Sequence, residues 1–141
     1  MNITVKRASS LDLEWVSQAD QYFPHPWTLK DWQQLNSDLY CFVAANAEGP
    51  VGYALFRHLP DDEQTHLLKI YILPHWRRKG VAELLFEGSL LALPVKEVFL
   101  EVGETNLAAQ RFYEKIGFNK LHLSKGFYSD GENAWLMLLT R

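Results

Sequence analysis

The stretch that most constrains this chain is Leu67 to Glu87, LLKIYILPHWRRKGVAELLFE. Leu67 to Leu73 is rich in apolar, aromatic and β-branched residues and reads as a buried strand. Pro74 stops it, because proline has no N–H to give to a ladder. Three consecutive cations follow, Arg77, Arg78 and Lys79, and Gly80 then opens an apolar helical run through Val81, Leu84 and Leu85. The first N–H groups of a helix lack internal partners, and the macrodipole places partial positive charge there. Gly80 lets the backbone approach a ligand with no Cβ in the way. A diphosphate can seat on such a turn, with the guanidinium groups adding charge. A solvated basic loop that merely caps a helix would show the same residues.

Elements on either side extend this centre. Ile3 to Ala8 alternates as a half-buried strand, and Ser9 with Asp12 approximates a capping pattern ahead of a helix facing inward through Leu11, Trp15, Val16 and Ala19. Two prolines in Tyr22-Phe23-Pro24-His25-Pro26-Trp27-Thr28 forbid regular structure, leaving a loop of large aromatics that either borders a site or plugs a core edge. Thr28 and Asp31 start a second helix with Leu29, Trp32 and Leu35 on one face. Leu39 to Ala45 and Val51 to His58 form a hairpin around Asn46-Ala47-Glu48-Gly49, and Pro60-Asp61-Asp62-Glu63 is a polar break. After the central strand, its helix runs to about Leu93 before Pro94. A strand over Lys96 to Val102, a helix from Asn106 with Gly117 past its end, and a closing strand pair, Phe118 to Phe127 with Ala134 to Thr140, complete the chain. The pattern is a mixed α/β fold in one domain, residues 1–141.

The totals narrow the function classes. At 141 residues, 48% hydrophobic and 22% charged, the chain suits one soluble domain with a real core. Its net charge of −3 argues against general nucleic-acid affinity, despite the short basic patch with Trp76. The single Cys41 lies in an apolar run and reads as a core thiol. No apolar signal core or membrane-length stretch is present, so the expected location is cytoplasmic, away from membranes. His25, His58, His66, His75 and His122 lack metal-ligand spacing, so no metal is expected.

Neither a P-loop nor a dinucleotide fingerprint is present. What remains is Arg77-x-x-Gly80-x-Ala82, followed by Leu100-Glu101-Val102 and then Asn106-x-x-Ala109-x-x-Phe112-Tyr113-x-x-x-Gly117-Phe118. Both patterns resemble signatures of the GNAT family of N-acetyltransferases, in the right order and on the expected elements. The resemblance covers nearly the whole chain and implies a mixed sheet of about seven strands flanked by about four helices. It is nearest to the RimI type, which acetylates the N-terminal α-amine of a ribosomal protein. His25-Pro26-Trp27-Thr28, Leu67-Leu68-x-Ile70 and Phe127-Tyr128 resemble that type's H-P-W-[ST], L-x-N-I and Y-Y segments.

By resemblance, acetyl-CoA is the co-substrate. Arg77, Arg78, Lys79, Gly80, Val81 and Ala82 hold its pyrophosphate, while Ile70, Tyr71 and Ile72 offer main-chain groups to its pantetheine arm and thioester carbonyl. Asn106 contacts the cofactor, Glu101 is the general base and Tyr113 the general acid. The implied partner is a protein or peptide N-terminus, with the chain monomeric or dimeric. A small amine such as a polyamine, aminoglycoside or amino acid is the alternative acceptor, and a CoA-binding module without turnover is a third reading. Lys69 stands where the RimI type has Asn, Gly103 where it has Arg, and Leu73 where it has Asp. The helix after Ala82 and the loop after Tyr128 are also shorter than usual.

Overall fold

The helix starts are set locally. Ser9 Oγ accepts the Asp12 N–H at 3.2 Å while the Asp12 carboxylate accepts the Ser9 N–H at 2.9 Å, a reciprocal box that begins α1 (Ser10–Ala19). Thr28 and Asp31 repeat the arrangement at 3.1 and 3.0 Å to begin α2 (Leu29–Gln33). The computed structural model describes residues 2–59, 61 and 63–141, so Pro60 and Asp62 of the polar break lie outside the described residues.

Seven strands hydrogen-bond in the order β1-β2-β3-β4-β5-β7-β6. They are β1 (Thr4–Arg7), β2 (Leu39–Asn46), β3 (Gly49–Arg57), β4 (Gln64–Ile72), β5 (Glu97–Gly103), β6 (Asn119–Ser124) and β7 (Ala134–Thr140). Helices α3 (Val81–Leu91) and α4 (Leu107–Lys115) follow β4 and β5. Parallel and antiparallel pairs coexist, as the mixed α/β reading requires. No helix among the described residues is long and apolar enough to cross a membrane.

Contacts divide the chain into two compact units, residues 1–60 with 67–94, and 61–66 with 95–141. In the first, β2 and β3 are buried on both faces, which explains their near-continuous apolar runs. Leu39, Cys41 and Val43 of β2 and Tyr53 and Leu55 of β3 pack with Val16, Ala19 and Trp32 from the helical segments. On the opposite face Phe42, Phe56 and Phe86 of α3 pack in series, the first pair edge-on and the second tilted, with ring centroids 6.1 and 6.3 Å apart.

In the second unit β5 pairs with β7, setting Glu101 opposite Leu136, and the start of β4 runs parallel to β5 through Gln64↔Glu97, Thr65↔Val98 and His66↔Phe99. The core here is Val98, Leu100, Val102, Phe118, Met137 and Leu139. Buried Gln110 ties α4 to the end of β5, its amide donating to the carbonyls of Gly103 and Glu104 at 2.9 Å each.

Three boundaries and two helix faces differ from expectation. β4 begins three residues before Leu67, because polar Gln64–His66 takes its place through pairing with β5 rather than through apolar content. Leu11 is 79% exposed and Leu29 45%, since the buried side of α1 runs through Asp12, Val16, Ser17 and Ala19, and α2 buries Trp32 alone. α3 stops at Leu91, short of Leu93. β6 ends at Ser124, not Phe127, where Asn133 Oδ1 captures the Gly126 N–H at 2.8 Å and turns the chain.

Candidate active site

The first unit holds the basic turn. After β4, Pro74–Trp76 makes a single 3₁₀ turn and Gly80 adopts φ 79° at the N-cap of α3. That left-handed backbone favours glycine, and nothing lies within 4 Å of where a Cβ would stand. The first α-helical bond onto the cap is Leu84 N–H to Gly80 O at 3.1 Å, and no side chain caps the helix, so the N–H groups of its first turn are left for a ligand.

The three cations are not equivalent. Arg77 Nε donates to the Ile72 carbonyl at 2.8 Å and its guanidinium lies 5.1 Å from the Tyr71 ring centroid, so it braces the strand end. Lys79 Nζ sits 5.3 Å from the Trp76 ring. Arg78 is exposed at φ 61° and bonds no described side chain. Of the strand residues expected to offer main-chain groups, Ile72 therefore has its carbonyl engaged, while half-buried Ile70 and Tyr71 flank it.

The second cluster of this unit surrounds Asp20, which the sequence did not single out. Its carboxylate is fully buried and accepts from Lys69 Nζ at 2.8 and 3.0 Å, Tyr53 Oη at 2.5 Å, Trp32 Nε1 at 3.2 Å and the Trp27 N–H at 2.7 Å. Lys69 also donates to the His25 carbonyl at 3.2 Å, and its ammonium lies 4.9–5.4 Å from the rings of Phe23, Trp27 and Trp32. Burial pulls the Lys69 pKa down against the opposing pull of Asp20, and burial with the Asp20 hydrogen bond pushes the Tyr53 phenol well up. Lys69, which departs from the RimI pattern, thus pins the His25-Pro26-Trp27-Thr28 loop. One signal was present in the sequence: an acid at a helix C-terminus opposes the macrodipole and so calls for a cationic partner.

The second unit holds the acid–base groups. His66 Nε2 meets Glu101 Oε1 at 2.8 Å, and the imidazole stacks on Phe99 at 4.3 Å with 17° between planes. The pair is half-buried, with side chains 18% and 19% exposed. Tyr128 lies near enough that, after burial, the charges of Glu101, Glu132 and Asp130 raise its pKa. Tyr113, on α4, rests its ring against Phe112 and Phe118 with centroids 5.4 and 5.7 Å away. Burial, with a smaller contribution from Tyr128, lifts the Tyr113 phenol well above the usual tyrosine range.

Asn106, expected at the cofactor, caps α4 by accepting the Ala109 N–H at 3.2 Å. The space beside Gly103 is taken by Glu132: a Cβ there would lie 2.6 Å from its Oε1, which accepts from Thr105 Oγ1 at 2.7 Å. The missing Arg is thus matched by a local rebuild. Sequence reading missed His66, weighed there only as a metal ligand, because nothing local reveals the β4–β5 register. Among the described residues no group of three or more His, Cys, Asp or Glu is arranged to hold a metal ion.

Comparison with known proteins bears on this geometry. The profile described as the Acetyltransferase (GNAT) family matches residues 8–118. An N-alpha-acetyltransferase of Saccharolobus solfataricus is 37% identical over 91 residues, 61% of this chain and 54% of that protein. The chain spans 54–66% of the length of the archaeal relatives it matches. A ribosomal protein bS18-alanine N-acetyltransferase of Salmonella typhimurium is 27% identical over 143 residues, 96% of each chain. The crystal structure of the ribosomal-protein-S18-alanine N-acetyltransferase from Escherichia coli superposes with a TM-score of 0.85 at 24% identity, covering 99% of this chain and 94% of that one.

Proposed function

The chain belongs to the acetyltransferase (GNAT) family, and from that premise we propose that residues 1–141 act as one domain transferring the acetyl group of acetyl-CoA to the α-amine of a protein or peptide N-terminus. The observation that carries the reading is the basic turn after β4, where Gly80 at φ 79° leaves its Cβ space open and no side chain caps the first turn of α3. The names of the curated relatives support the acceptor class.

The basic turn suits the diphosphate of the co-substrate: Gly80 leaves its Cβ space open, the first turn of α3 is uncapped and Arg78 is uncommitted among the described residues. Acetyl-CoA, when bound, supplies an acetyl thioester. Glu101 then takes the proton that an attacking amine must lose; its Oε1 is engaged by His66, and no described side chain hydrogen-bonds to Oε2. Tyr113 holds its proton throughout neutral pH and gives it to a leaving sulfur. No covalent intermediate on the protein is required, and Cys41, buried with its thiol pushed up to about 12, has no part.

The acceptor class follows from the cost of the neutral nucleophile. An α-amine near ~8 costs about 1.4 kcal/mol to deprotonate at neutral pH, against roughly 4.6 for a lysine near ~10.4. A carboxylate acting directly or through one water meets the first demand with modest help. Turnover of acetyl-CoA against a panel of N-terminal peptides and a panel of small amines tests the reading. We expect the peptides to be preferred; preference for polyamines or amino acids would replace the acceptor, and no turnover on either would leave a CoA-binding module. Tyr113→Phe should lower kcat far more than acetyl-CoA affinity, and equal activity would remove Tyr113 from its role.

A further inference from the structure

We infer that His66 is a positioning residue for the Glu101 base, a role that rests on the reading of Glu101 given above. Three observations carry it. The imidazole and carboxylate meet at 2.8 Å from paired strands, so the backbone ladder His66↔Phe99 fixes the distance between them. Phe99, two residues before Glu101 and on the same face of β5, stacks on the imidazole at 4.3 Å and sets its plane. No described residue hydrogen-bonds to His66 Nδ1, so among the described residues Glu101 is the ring's hydrogen-bond partner.

The imidazole donates its Nε2 proton to Oε1, which orients the carboxylate and leaves Oε2 to receive the proton of the acceptor amine.

The test compares His66→Leu, His66→Gln and Glu101→Gln in peptide acetylation at pH 8, with acetyl-CoA affinity measured by calorimetry. His66→Leu removes one hydrogen bond to a charged group, so kcat should fall about ten- to hundredfold with acetyl-CoA affinity unchanged. His66→Gln keeps a donor at that place and should recover most of that loss. Parental kcat in His66→Leu, or no recovery in His66→Gln, overturns the role. Should His66→Leu fail to fold, His66→Gln decides alone: kcat near the parent's supports the role, and a fall as large as that expected of His66→Leu overturns it. Full activity in Glu101→Gln would instead dismiss the base beneath it; loss of activity there with parental His66 variants would dismiss His66 only.

Discussion

The molecule carries two charge pairs that look alike on paper and differ in almost every physical respect. Asp20 and Lys69 are 0% and 5% exposed, and Asp20 is surrounded by four hydrogen-bond donors. Glu101 and His66 are 19% and 18% exposed and share one hydrogen bond. The first pair has its carboxylate saturated by donors and walled by aromatic rings. The second keeps an oxygen and a ring nitrogen open. A buried ion pair contributes little net stability over an apolar substitute but costs dearly when halved; a partly exposed one contributes little either way. The contrast separates a lock, which holds the Trp27 loop in place, from a pair able to work.

The sharpest way to break this contrast is to neutralise Glu101. Glu101→Gln should cut kcat/KM by about 10²–10⁴ if Glu101 is the base. The melting temperature should move by no more than a few degrees, because the side chain keeps its shape and loses only a half-exposed partner. Acetylation rates and a thermal melt on the same preparation check both halves. A large stability loss with modest loss of rate would make Glu101 another structural carboxylate.

Lys69→Met is the mirror experiment. It strands the Asp20 carboxylate in the core and should cost about 3–5 kcal/mol in denaturant unfolding. Adding Asp20→Asn to Lys69→Met should return part of that loss, since the stranded charge is removed. If Lys69→Met is as stable as the parent chain, the cluster around Asp20 is not a lock.

The same contrast explains what could be read from the sequence. Ser9 and Thr28 announced their helices because a capping box spans only four residues. The Pro24–Pro26 loop, the seven-strand mixed sheet and the burial of Cys41 were likewise legible from composition, resemblance and local pattern. Leu11 and Leu29 misled because apolar identity alone does not tell which way a helix turns toward its neighbours. The motifs named Glu101 and Tyr113, but their surroundings come from elsewhere: His66 is 35 positions from Glu101, and Lys69 is 49 from Asp20. Such pairings depend on strand register and loop placement, which no local window contains.

The smallest effect probes how tightly the closed cluster holds its protons. Tyr53 donates its hydroxyl to Asp20 at 2.5 Å in a fully buried setting, and burial, that bond and the Asp20 charge all raise its pKa in the folded chain. For a raised acid of this kind, stabilisation is complete below the unfolded value near ~10 and is lost as pH climbs above it, because the unfolded phenol sheds its proton first. Tyr53→Phe should therefore cost about 1.5–3 kcal/mol at pH 8, the worth of a hydrogen bond to a charged group. That difference should shrink by up to about 1.4 kcal/mol per pH unit above 10, since only the parent chain pays for keeping the phenol neutral. Cys41, pushed up to about 12, titrates in both chains and cancels from the comparison. Denaturant unfolding at pH 8, 10 and 11 measures it; a gap between Tyr53→Phe and the parent that stays constant to pH 11 would mean that the phenol ionises as readily in the fold as out of it, and that the Asp20 cluster is more open than its geometry indicates.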